Sequence, residues 1–108
     1  MDSGTSETLN GIWGDSTAEV FAVGNNGIIV HYNGVSWSAM DSGTSEKLTG
    51  VWGDSAANVF AVGSKGTIVH YNGTKWSAMA SGTKKNLSGI WGSSGSTVFA
   101  VGEKGKIL

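Results

Sequence analysis

The chain repeats one 39-residue unit nearly three times, and this period constrains its fold more than any other feature. Trp13, Trp52 and Trp91 are 39 residues apart, and matching leucines and phenylalanines keep the same step. A fixed period of about 40 residues is typical of one supersecondary unit per repeat, which buries its apolar surface against copies of itself. We therefore predict a single domain, residues 1–108, with three repeats: 1–39, 40–78 and 79–108.

Composition narrows the class of protein. The chain has 18 glycines, but 39% of its residues are apolar and five are tryptophan, so it is not disordered. The absence of cysteine excludes disulfides and thiolate metal sites. All seven basic residues are lysine and the net charge is −1, so we expect no nucleic-acid partner. We also expect no cofactor. No apolar stretch reaches membrane-span length and no signal-peptide layout is visible, so the sequence indicates neither a membrane partner nor a location.

Turn-forming residues divide each repeat into four short runs. In the second repeat these are L-T-G-V-W-G at 48–53, V-F-A-V-G at 59–63, T-I-V-H-Y at 67–71 and W-S-A-M at 76–79. All four are of strand length, rich in β-branched and aromatic residues, and bounded by Gly, Asn, Asp or Ser. The third repeat stops within its third run, K-I-L at 106–108. We predict an all-β fold in which each repeat is a four-stranded antiparallel meander.

Two kinds of turn are expected within a repeat. Asn33-Gly34 and Asn72-Gly73 fit tight type I′ hairpins between the third and fourth strands, because both residue types tolerate positive φ. The segments 25–27 and 64–66 each end in glycine, as a short hairpin with a left-handed residue requires.

The second and third runs predict how the sheets are stacked. They are apolar on both faces instead of alternating, which indicates a sheet sandwiched between other sheets. Four-stranded sheets stacked face to face around an axis are the blades of a β-propeller. The chain would supply two complete blades and an incomplete one. Because propellers use about four to eight blades, we expect a ring completed by head-to-tail oligomerisation, with a dimer of about six blades favoured over a trimer of about nine.

The interface between copies would be apolar. The residues expected there are Leu9, Trp13, Val20, Phe21, Trp91, Val98, Phe99, Ile107 and Leu108. The charge distribution gives weaker support to head-to-tail association. The first repeat has four acidic residues and no lysine, whereas the third has four lysines and one glutamate. Such complementarity would guide register and encounter more than it would add affinity, and random drift among the copies is an equal alternative.

The motifs in the four runs of the second repeat resemble the tandem propeller repeats found in many bacterial proteins. The V-F-A-V, G-T-I and G-T-K-W landmarks are also similar, more loosely, to the tectonin repeat of propeller lectins. The resemblance covers the whole chain and implies a propeller fold. The lectin similarity implies glycan binding. Near-identity of the repeats is also typical of a recently amplified or engineered blade.

Candidate sites for chemistry are few. His31 and His70 occupy the same position in two repeats without a third metal ligand, so a structural role is favoured. Asp15 and Asp54 follow the first strands and suit turn formation better than ligand binding. Since both histidines and most acids recur with the repeat, no catalytic arrangement can be preferred, and we expect no enzyme.

A ligand site, if present, would use exposed aromatic or loop residues. Trp37 and Trp76 begin the fourth strands, where packing is the favoured role and sugar stacking the alternative. The loops that share one rim supply five polar candidates: Ser45, Glu46, Lys47, Ser64 and Lys65. The leading hypothesis is a non-enzymatic, self-assembling propeller module that serves as a scaffold or binding ring. The alternative is a multivalent lectin that binds carbohydrate between blades.

Overall fold

The computed structural model describes residues 5–14, 19–55, 57–94, 97–103 and 107, and within them the fold consists of strands joined by short turns. The first sheet contains β1 (Leu9–Gly14), β2 (Val20–Gly24), β3 (Ile29–Tyr32) and β4 (Trp37–Met40). The second contains β5 (Leu48–Ser55), β6 (Asn58–Gly63), β7 (Ile68–Tyr71) and β8 (Trp76–Met79). The third pairs β9 (Leu87–Ser94) with β10 (Thr97–Gly102), and Ile107 adds a single bridge to Val101.

Each complete sheet is an antiparallel meander, which confirms the predicted all-β repeat unit. The strand orders are β1-β2-β3-β4 and β5-β6-β7-β8. The registers are also equivalent: Trp13 pairs with Phe21 in the first sheet, and Trp52 pairs with Phe60 in the second. The 39-residue period therefore repeats the strand register as well as the sequence.

Stacking of the sheets accounts for the two apolar faces of the middle strands. Val59, Ala61 and Val69 are buried in a cluster with Phe21 of the first sheet. Val62, on the opposite face of β6, is buried with Leu87 and Ala100 of the third sheet. Successive side chains of a strand point to opposite faces, so a sheet between two neighbours needs apolar residues at consecutive positions.

The turns between second and third strands follow the prediction. Asn26 and Lys65 both have φ of 58°, and the glycines after them have φ of 71° and 74°. A Cβ on Gly27 or Gly66 would also collide with the carbonyl oxygen of Thr44 or Thr83. Glycine is therefore required at these two positions by both conformation and space.

The prediction of type I′ hairpins at the Asn-Gly pairs is wrong. Tyr32 pairs with Trp37, which leaves a four-residue loop instead of a two-residue one. Gly34 has φ of 98°, but Asn33 is not left-handed. The Asn33 side-chain oxygen instead accepts hydrogen bonds from the backbone N–H groups of Val35 and Ser36, at 3.0 Å each. An asparagine that binds the backbone of its own loop favours this longer turn.

The first strands of the second and third repeats are longer than predicted. β5 continues to Ser55, so Asp54 lies within a strand and does not begin the loop. Its counterpart Asp15 lies outside the described residues. No helix in the described part of the chain is long and apolar enough to cross a membrane.

Candidate functional site: the two end faces

The contact between the first and second sheets is aromatic. The Phe21 ring is fully buried and lies 5.6 Å from the Tyr71 ring and 6.1 Å from the Trp76 ring, measured between centroids. Trp13 packs beside it, over Gly53: a Cβ on this glycine would be 2.8 Å from Cη2 of the indole. The absence of a side chain at Gly53 is what lets the two sheets approach here.

The contact between the second and third sheets repeats this arrangement. Trp52 lies over Gly92, where a Cβ would again be 2.8 Å from Cη2 of the indole. A hydrogen bond crosses the same boundary, because the Thr49 hydroxyl donates to the Leu87 carbonyl oxygen at 2.5 Å. The equivalent bond between the first and second sheets runs from the Asn10 amide to the Leu48 carbonyl oxygen, at 3.0 Å.

The outer face of the third sheet is open. We call it the trailing face; it consists of Trp91, Phe99, Val101 and Ile107, which are 60%, 46%, 43% and 67% exposed. Trp91 and Phe99 stack on each other with centroids 6.4 Å apart, as Trp52 and Phe60 do. The Trp52–Phe60 pair of the second sheet lies against the third sheet, whereas the Trp91–Phe99 pair has no sheet against it in the chain. The trailing face therefore has the composition of an internal contact but lies at the surface.

The outer face of the first sheet is its counterpart. We call it the leading face; it consists of Leu9, Ile12, Gly14, Val20 and Tyr32. Leu9 is 38% exposed, whereas the equivalent Leu48 and Leu87 are fully buried beneath the preceding sheet. Ile12 is 68% exposed. The open part of the leading face is thus centred on β1, since Ala22 and Val30 at the middle of the sheet are buried.

The residues expected at the interface between copies fall on different surfaces. Trp91, Phe99 and Ile107 lie on the trailing face, and Leu9 and Val20 lie on the leading face. Trp13 and Phe21 instead pack against the second sheet, so Phe21 is not available to a partner. Val98, the counterpart of buried Val59, is partly buried, and Leu108 lies outside the described residues.

Four residues of the end faces were not predicted from the sequence: Ile12, Gly14, Tyr32 and Val101. The missing signal was the side-chain alternation. In the β1–β2 register, residues 12 and 14 lie on the same face of the sheet as Val20, whereas residue 13 lies on the opposite face, with Phe21. Assigning Trp13 and Phe21 to one face would have placed their neighbours on the other.

The structure brings four of the five rim candidates together. The Ser64 N–H donates to the Lys47 carbonyl oxygen at 2.9 Å, and Lys65 Nζ lies 3.8 Å from Glu46 Oε2. Ser45 is exposed on the same connecting segment. These contacts hold the loop before β5 against the turn between β6 and β7. The two charged side chains and the two backbone groups are therefore partnered within the chain.

Trp37 and Trp76 lie at the opposite end of the sheets from this rim. Trp37 pairs with Tyr32 and is partly buried. Trp76 is 6% exposed beneath Phe21, and its indole N–H has no hydrogen-bond partner among the described residues. The predicted ligand residues therefore form two separated groups, of which Trp76 is packed in the core.

The histidines contact strand neighbours. His31 Nε2 lies 3.0 Å from Glu19 Oε1, and His70 Nε2 contacts the side-chain oxygen of Asn58 at the equivalent position. Each imidazole also packs on the phenylalanine of its own sheet, with centroids 4.7 Å and 4.5 Å apart. Within the described ranges, no three His, Cys, Asp or Glu side chains are grouped so that they could hold a metal.

Comparison of the chain with protein-family models, with curated proteins and with solved structures finds no match. The geometry of the two end faces is the feature that bears on function.

Proposed function

We propose that this protein is a non-enzymatic self-assembly module, whose repeats join those of a second copy to form a β-propeller ring. The observation that carries the proposal is the exposure of equivalent residues. Phe21 is fully buried inside the chain, whereas Phe99, at the same position of the third repeat, is 46% exposed. Phe60 lies against the smaller third sheet and is partly buried, so exposure at this position rises as the neighbouring sheet is reduced and then lost. This trend favours another such sheet as the partner of Phe99.

The chemistry of both end faces supports the same partner. Trp91 and Phe99 expose large aromatic surface at one end, and Ile12 exposes aliphatic surface at the other. Burial of apolar surface contributes roughly 25 cal/mol per Å2, so covering both faces would favour association. Two copies with three repeats each would bring together about six sheets, within the usual range for propellers. In this role the ring acts as a scaffold.

Sedimentation velocity and native mass spectrometry of the full chain over a wide concentration range test the proposal. The expected result is a discrete complex with the mass of two chains, which dissociates on dilution. A single-chain species at every concentration would overturn it. Val35→Thr is the matched control, because Val35 is 86% exposed but lies in a turn away from both end faces, and its replacement should leave the assembly unchanged.

A second candidate function is carbohydrate binding at the leading face. The observation in its favour is the Tyr32–Trp37 pair, whose ring centroids are 5.3 Å apart and whose side chains are partly accessible. Aromatic rings with one apolar face and one polar edge suit sugar recognition. Binding on a glycan array that is lost in Trp37→Ala would support this function, and absence of binding by the dissociated chain, whose leading face is open, would exclude it.

A further inference from the structure

The two internal contacts between sheets follow one rule. A tryptophan near the end of the first strand lies over a glycine 40 residues later, as Trp13 does over Gly53 and Trp52 does over Gly92. A polar side chain three residues before that tryptophan donates to a leucine carbonyl 38 residues later, as Asn10 does to Leu48 and Thr49 does to Leu87. Each boundary thus has one apolar and one polar contact in fixed register.

Each end face carries one member of the tryptophan–glycine contact and one member of the hydrogen bond. On the trailing side, Trp91 is the next tryptophan and Ser88 is the counterpart of Asn10 and Thr49; both are exposed. On the leading side, Gly14 is the counterpart of Gly53 and Gly92, and Leu9 is the counterpart of Leu48 and Leu87. Gly14 and Leu9 are also exposed. The tryptophan and hydroxyl at one end complement the glycine and carbonyl at the other.

We infer that Trp91 of one copy docks over Gly14 of a second copy, with the Ser88 hydroxyl donating to the Leu9 carbonyl oxygen. The inference rests on the proposed self-assembly and specifies its orientation. Docking is head-to-tail, because the tryptophan of this contact, Trp91, lies on the trailing face and the matching glycine, Gly14, lies on the leading face. Charge favours the same pairing, since the third repeat is rich in lysine and the first repeat is acidic.

The geometry also identifies Gly14 as a specificity-determining residue. A Cβ on Gly14 would meet Val20 Cγ2 at 3.1 Å, a contact that a small shift of the valine can relieve. The same Cβ would occupy the space that the indole of the second copy requires. A larger side chain at position 14 should therefore block docking while the strands of its own sheet remain paired.

Two variants with opposite defects test the orientation. Trp91→Ala damages only the trailing face, and Gly14→Leu damages only the leading face. Each variant alone should self-associate at least about tenfold more weakly than wild type. An equimolar mixture should recover much of the wild-type association, because a mixed pair retains one intact contact between the Trp91 of one chain and the Gly14 of the other.

The outcomes separate this inference from the proposed function. If wild type does not associate at all, self-assembly fails. If wild type associates but either single variant does so equally well, self-assembly stands and the Trp91–Gly14 contact is overturned. Absence of recovery in the mixture also overturns it. Circular dichroism checks that each variant is folded; if Gly14→Leu unfolds, Ile12→Glu replaces it as the leading-face block, since Ile12 is 68% exposed.

Discussion

Trp13 of the first repeat lies so close to Gly53 of the second that a Cβ on the glycine would be 2.8 Å from the indole. The large side chain of one repeat is thus accommodated by the missing side chain of the next. The stacking of the sheets depends on this pairing of a large side chain with a glycine.

Gly53→Ala should lower the free energy of unfolding by about 1–3 kcal/mol, because the added methyl group overpacks the contact with Trp13. Gly50→Ala is the matched control. Its Cβ would meet its nearest neighbours at 3.5 Å, an ordinary contact, so its effect should be close to zero or slightly stabilising. Urea denaturation of both variants measures the difference. Equal effects of the two substitutions would contradict the steric account.

Phe21→Ala should be among the most destabilising single changes in the chain. The ring is fully buried between two sheets, so its loss removes apolar burial and leaves a cavity, at a cost of about 3–5 kcal/mol. Phe99→Ala removes the same group from the trailing face, where 46% is exposed, and should cost less than about half as much. Thermal unfolding at low protein concentration compares them. Similar losses in both variants would contradict the assignment of Phe99 to an open face.

Thr49→Val should destabilise the contact between the second and third sheets by about 1–2 kcal/mol. The valine keeps the shape of the side chain but leaves the Leu87 carbonyl oxygen without the hydroxyl that now donates to it. Thr74→Val, at an exposed turn position, is the control and should change stability by less than about 0.5 kcal/mol. Chemical denaturation midpoints report both values, and an unchanged midpoint for Thr49→Val would show that the bond contributes nothing.

Two polar contacts on the rim should differ in strength. Ser42 is 3% exposed and its hydroxyl donates to the Gly27 carbonyl oxygen at 2.7 Å, so Ser42→Ala should cost about 1–2 kcal/mol. The Glu46–Lys65 pair is separated by 3.8 Å, and the lysine is 74% exposed, so Glu46→Gln should cost less than about 0.5 kcal/mol. Unfolding of both variants in low and high salt tests this order. A larger, salt-sensitive loss for Glu46→Gln would reverse it.

The period and the residue types predicted the repeat unit well. Trp37–Met40 and Trp76–Met79 form strands with the expected bounds, because turn residues on either side limit them. Apolar residues at consecutive positions correctly indicated that the second sheet is covered on both faces. These features are local, so a single sequence contains the information needed to predict them.

Two other features could not be predicted from residue types and period. The Asn33 turn is longer than predicted because the asparagine side chain binds the loop backbone in competition with a tight hairpin. The face to which Phe21 belongs depends on which side of its sheet the next repeat occupies. The second and third strands of a repeat are apolar on both faces, so hydrophobicity alone could not distinguish the covered face from the open one.

The left-handed residues of the rim turns have one more consequence. Asn26 and Lys65 share φ of 58°, although one side chain is a neutral amide and the other an ammonium ion. The turn thus keeps its path whichever group it carries, because the following glycine accepts the second left-handed conformation. The rim of this protein can therefore exchange its chemical groups one at a time while the strands beneath it keep their positions.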